Sequence, residues 1–132
     1  MAEDINEYAG LFDLKETVTS YRHIAVPAFL KTEAEEYMTA QAESGNDEEK
    51  RKAELMGDLI DKAAKAKFVG PFKTPKAKNI KLNYGTLDAD IVIGLKDSQT
   101  VRLDEMSKRC NVKPADYCRL VLFTALHLKK EF

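Results

Sequence analysis

The stretch that most constrains this chain lies near its end, where residues 117–128 form a helix-length segment with only Arg119, Thr124 and His127 clearly polar. A helix that is apolar on every side has to be buried. Pro114 suits a first helical position, so the segment is expected to start there. Together with the elements just before it, it makes a unit of about forty residues, too few to bury such a helix alone. The sequence therefore asks for a partner surface, and a second copy of the chain would supply one.

The residues leading into that helix are well punctuated. Ile91, Ile93 and Leu95 alternate with Asp90, Val92 and Gly94, which reads as a strand with one buried face. Lys96-Asp97-Ser98 ends the alternation, and Asp97 or Ser98 is expected to cap a helix carrying Leu103, Met106 and Cys110 at helical spacing. Asn111-Val112-Lys113-Pro114 is the stop before the last helix.

This order, carried by Ile91-Val92-Ile93-Gly94-Leu95, Leu103-Asp104-Glu105-Met106-Ser107, Asn111-Val112-Lys113-Pro114-Ala115 and Tyr117-Cys118-Arg119-Leu120, resembles the ribbon-helix-helix family of the Arc and Met repressors over the last third of the chain. The resemblance implies a mainly α fold with a short β-ribbon, in which two chains pair strands and interlock helices, preceded here by a helical N-terminal extension. It implies a homodimer whose core includes Ile91, Ile93, Leu95, Leu120, Phe123 and Leu126. It also implies binding to double-stranded DNA, with Val92 on the reading face and Lys96 and Lys113 at helix starts, where backbone amides and the helix dipole suit a phosphate.

One feature departs from the family pattern. Asp90, Val92 and Gly94 are poor readers of base edges, since a carboxylate is repelled by phosphates, valine can touch only a thymine methyl, and glycine has no side chain. Asn79, Lys81 and Asn83 have the missing chemistry. They alternate with Ile80, Leu82 and Tyr84, and Gly85-Thr86 can turn such a strand back into residues 87–95. The ribbon is thus expected either as a lone strand from each chain or as a hairpin read through Lys81 and Asn83.

The overall charge of −1 hides an asymmetry: residues 1–70 hold 9 Lys/Arg against 15 Asp/Glu, and residues 71–132 hold 12 against 7. Three regions follow, namely an acidic, mostly helical region at 1–70, a basic linker or arm at 71–79, and the ribbon-helix-helix-like domain at 80–132. Lys73, Lys76 and Lys78 in the arm are candidates for phosphate contacts by counterion release. Within the acidic region, Ile5, Tyr8, Leu11 and Phe12 share a face of a short helix. Residues 17–30 read as extended, with Pro27 confining any strand to an edge. Thr32 and Glu35 form a capping box for a helix to about residue 44. A third helix from Asn46 carries Met56, Leu59, Ile60, Ala63 and Ala64 in a stripe and stops at Gly70-Pro71. His23 reads as a packed or solvated side chain.

Cys110, Cys118 and His127 match no zinc spacing and fall among core positions, so no metal or cofactor is expected. Neither a phosphate loop nor a catalytic triad order is present, and the expectation is a protein that is not an enzyme. The first fifteen residues are acidic where a secretory signal would be basic, which points to the cytoplasm. The leading functional reading is a dimeric DNA-binding regulator or a plasmid or phage accessory protein. The alternative is a protein-interaction or assembly module whose acidic front half docks a basic partner, favoured by Asp88, Asp90, Val92 and Gly94 on the ribbon. A third arrangement has residues 21–67 repeating the strand-helix-helix order, giving a pseudo-dimer within one chain; the polarity of those helices counts against it.

Overall fold

The computed structural model describes residues 17–41, 48–70 and 85–132. Its elements are β1 (Ser20–Val26), α1 (Ala28–Gln41), α2 (Glu48–Lys65), β2 (Ala89–Leu95), α3 (Asp97–Cys110) and α4 (Pro114–Leu122), the last continuing into a π-helical segment, Phe123–His127. The described residues are mainly helical, with one two-stranded antiparallel sheet among them, β1 against β2.

The order strand, helix, helix occurs twice. Moving the first half forward by 69 positions carries Ser20 onto Ala89, Val26 onto Leu95, Ala28 onto Asp97 and Gln41 onto Cys110, so the strands and first helices of both halves have equal lengths. The register pairs Ser20 with Leu95, His23 with Val92 and Val26 with Ala89. His23 and Val92 are equivalent under that same shift, so a local two-fold axis of the ribbon passes through their pair.

The surface for which the sequence asked for a second chain is supplied by the first half of the same chain. One buried cluster joins Ile24, Val26, Leu30, Met38, Met56 and Ile60 to Ile91, Ile93, Leu95, Leu103, Leu120, Val121, Leu122 and Leu126. It therefore draws on both sides of residues 71–79. Burial of the last helix no longer argues for a homodimer, and the region expected as a helical extension contributes a strand of the ribbon. The polarity of α1 is no obstacle to this. It buries only Leu30, Ala34 and Met38, a thin stripe that suffices because the π-helical segment packed against it is itself rich in apolar side chains.

Several helix ends differ from expectation for local reasons. Thr32 lies inside α1, its hydroxyl donating to Ala28 O at 3.2 Å, and the helix start is served instead by a distant residue: Ala28 N–H donates to Asp88 Oδ1 at 3.1 Å. Lys96, rather than Asp97 or Ser98, is the N-cap of α3, and its N–H donates to Gln99 Oε1 at 2.9 Å. The helix α2 ends at Lys65, before Gly70-Pro71. Lys67 takes the left-handed conformation (φ 57°) while Phe68 N–H closes on Ala63 O at 3.0 Å, a terminal motif more often given to glycine. Asn111 (φ 57°) ends α3 in the same way, as its place in the sequence indicated.

The halves are also tied by polar contacts between α2 and α3. Arg102 Nε and Nη2 donate to Asp61 Oδ1 and Oδ2 at 2.6 and 3.0 Å, and Gln99 Nε2 donates to Asp58 Oδ1 at 3.0 Å. Burial pushes the Asp61 carboxyl up, but hydrogen bonds and charge from Arg102 and Lys65 outweigh it and hold the group below its ordinary value. The Tyr117 hydroxyl donates to Phe68 O at 2.7 Å, fixing the end of α2 to α4.

Candidate functional site

Side chains alternate across a two-stranded ribbon, so one row enters the core and the other faces away from it. Ile24 and Val26 with Ile91, Ile93 and Leu95 form the inner row. Tyr21, His23 and Ala25 with Asp90, Val92 and Gly94 form the outer one. Much of that outer row is open: Tyr21 is 47% exposed, Val92 36%, and the His23 side chain 69%. Gly94 is the exception. A Cβ there would meet Val18 at 3.2 Å and Ala53 at 3.3 Å, because the first turns of α2 cover that end of β2.

The outer row has an internal contact, His23 Nδ1 to Asp90 Oδ2 at 2.7 Å. The carboxylate can only accept, so in the neutral ring Nδ1 carries the proton and Nε2 remains an acceptor. Both outer edges of the ribbon are held by cations. Arg119 Nη1 donates to Ala25 O at 3.0 Å while Nη2 donates to Asp116 Oδ1 at 2.7 Å, and Lys31 Nζ donates to Asp90 O at 2.9 Å. The Arg119 guanidinium thus joins a carboxylate of its own helix to a ribbon carbonyl.

A groove of about 530 Å³ runs beside the exposed row, between β2 and the helices α1 and α2. Tyr21 and Val92 line it from the ribbon. Lys31, Lys50 and Lys52 contribute positive charge, balanced by Glu35, Glu49 and Asp90. Lys52 Nζ is 3.3 Å from Glu35 Oε2, a partial neutralisation within the groove itself.

The other residues named from sequence scatter. Lys96 is half-buried and Lys113 exposed, each as the N-cap of its helix, and Pro114 opens α4 as expected. Lys73, Lys76, Lys78, Asn79, Lys81 and Asn83 lie outside the described residues, as do Ile5, Tyr8, Leu11 and Phe12. The strand found opposite residues 90–95 is β1, so the described ribbon is neither a lone strand from each chain nor a hairpin with residues 80–84. Of the expected dimer core, Ile91, Ile93, Leu95, Leu120 and Leu126 are buried. Phe123 is only half-buried, in edge-to-face contact with Phe29 (6.3 Å between centroids) and stacked on His127 (4.9 Å). The missed residues are Tyr21 and His23. Residues 17–30 read as extended from sequence, and the alternation of Tyr21, His23 and Ala25 with Ile24 and Val26 is the signal for an outer row once β1 is the ribbon's second strand.

Cys110 and Cys118 are free and buried; burial raises both thiols, Cys118 to about 12, which suits a small core side chain rather than a nucleophile. Among the described residues no group of three or more His, Cys, Asp or Glu is placed to hold a metal ion, and no helix is long and apolar enough to cross a membrane. No family model matches the chain, and no curated protein or solved structure does either.

Proposed function

We propose that this protein is a ribbon-helix-helix-type DNA-binding regulator or accessory protein in which the two strand-helix-helix units lie in one chain. The observation that carries this reading is the exposed outer row of an antiparallel ribbon, centred on His23 and Val92, on a strand-helix-helix plan that repeats once. A two-stranded ribbon has dimensions that fit the major groove. Tyr21 and His23 bring hydrogen-bonding groups, and Val92 brings an apolar contact suited to a thymine methyl. Exposed Lys113, at the start of α4, and the lysines of residues 73–78 would serve the phosphates.

The test is a titration of the full chain with a random-sequence duplex over a salt series. Binding should weaken steeply with salt, and neutralising Lys73, Lys76 and Lys78 together should flatten the slope by up to about three phosphate contacts. A second reading, a protein-interaction module, is favoured by one specific observation: the groove beside the ribbon has no surplus of cations, and Asp90 stands on the exposed row. Absence of duplex binding at low salt would move that reading ahead.

A further inference from the structure

The local two-fold axis of the ribbon relates backbone positions but not the chemistry of the outer row. Tyr21 is matched with Asp90, His23 with Val92, and Ala25 with Gly94. One half of the row therefore offers a phenol and an imidazole, and the other a carboxylate and a valine. A ribbon made by two identical chains would present the same side chains twice and match a dyad-symmetric sequence. This ribbon has no such constraint.

Resting on the DNA-binding reading, we infer that one chain occupies one duplex site lacking dyad symmetry, with His23, held by Asp90, as a specificity-determining residue at the centre of the ribbon. The 2.7 Å contact between Nδ1 and Asp90 Oδ2 fixes the ring's donor on the protein side. In the neutral ring the remaining nitrogen, Nε2, is an acceptor, which selects the exocyclic amino group of adenine or cytosine over the O6 and N7 acceptors of guanine. Val92, across the strand pair, has only methyl groups to offer and matches a thymine methyl. Asp90 acts on the imidazole and not on the base, as a positioning residue. Gly94 contributes nothing, since Val18 and Ala53 cover it. The asymmetry is thus set by two matched pairs of unlike residues, Tyr21 with Asp90 and His23 with Val92, with the pair on the axis contributing most.

The experiment is enrichment of the full chain's binding sites from a random duplex library, followed by sedimentation of the complex with the enriched duplex. The expected result is a motif without dyad symmetry, bound by one chain per duplex. His23→Ala should lose about tenfold in preference at a single base position near the centre of the motif while leaving the other positions unchanged. Asp90→Asn keeps a side-chain oxygen acceptor for Nδ1–H and should retain that preference, whereas Asp90→Ala should blur it. The side chains of His23 and Asp90 are 69% and 47% exposed, and circular dichroism of each variant should match the parent. A palindromic motif bound by two chains would overturn the single-site inference and leave DNA binding standing, as would a motif indifferent to His23→Ala for the assigned reader. Failure to enrich any sequence, with salt-dependent binding to random duplex intact, would overturn the inference alone. Loss of duplex binding altogether would overturn the functional reading beneath it.

Discussion

Where α2 crosses β2 the two backbones touch, with Gly57 so close to the Gly94 carbonyl that a Cβ would overlap it. Where α4 approaches β1, the equivalent carbonyl, Ala25 O, is met by the long side chain of Arg119. One plan, used twice, has been closed by contact in one half and by a charged bridge in the other. A repeated backbone thus does not require repeated chemistry. Each half needs only a helix that reaches the ribbon and leaves no carbonyl in conflict.

The comparison is broken most severely by emptying the shared core from either side. Leu30 and Leu122 are both fully buried in the one cluster, from the first and second half respectively. Leu30→Ala and Leu122→Ala should each cost about 4 kcal/mol and lower a single, common melting transition. Two separate transitions, with only one displaced, would mean that the halves fold as independent units.

Gly57→Ala is next. In an exposed helix interior that change stabilises by about 1 kcal/mol. Here the obstacle is backbone, which cannot swing aside, and the loss should be about 3 kcal/mol. Arg119→Ala on the other side should cost less, because the bridge is a side chain and water can replace it. A neutral or stabilising Gly57→Ala, measured by denaturant unfolding, would remove the close approach on which the contrast depends.

The polar tie between the halves comes third. Arg102→Met strands Asp61, which is 5% exposed, with Lys65 as its remaining cation, and should cost about 2 kcal/mol, below the usual range for a buried pair because Arg102 is itself a third exposed. The sign with pH follows from a carboxyl held below its ordinary value of 3.8 in the fold. Its contribution is complete at neutral pH and is lost as the pH falls through the folded value, so parent and variant should converge in stability in strong acid. If they differ as much there as at neutral pH, the pair is not the source of the difference.

The smallest effect is expected at Phe123. Its half-buried ring, in contact with Phe29 and His127, should cost about 1 kcal/mol on truncation to alanine, less than a fully buried phenylalanine would. A loss above that range, falling further with dilution, would indicate that a second chain covers it.

Much of the local structure was legible from the chain alone. The alternation at residues 91–95, the Asn111 stop, the Pro114 start and the stripe of Met56, Ile60, Ala63 and Ala64, with Leu59 half-buried at its edge, each depend on a few neighbouring residues, and each appears where those residues put it. The excess of apolar surface in the last helix was also legible, and with it the need for a surface to cover it. What covers that surface was decided only in three dimensions. Burial has no address: a second copy and an earlier stretch of the same chain satisfy it equally, and the latter joins β1 to β2 across more than sixty intervening residues. The same long-range pairing converted His23 from an isolated histidine into one held by Asp90, and passed the cap of α1 from Thr32 to Asp88. Sequence proximity cannot encode such contacts, because they depend on which strand lies beside which, and that follows from the shape of the whole core.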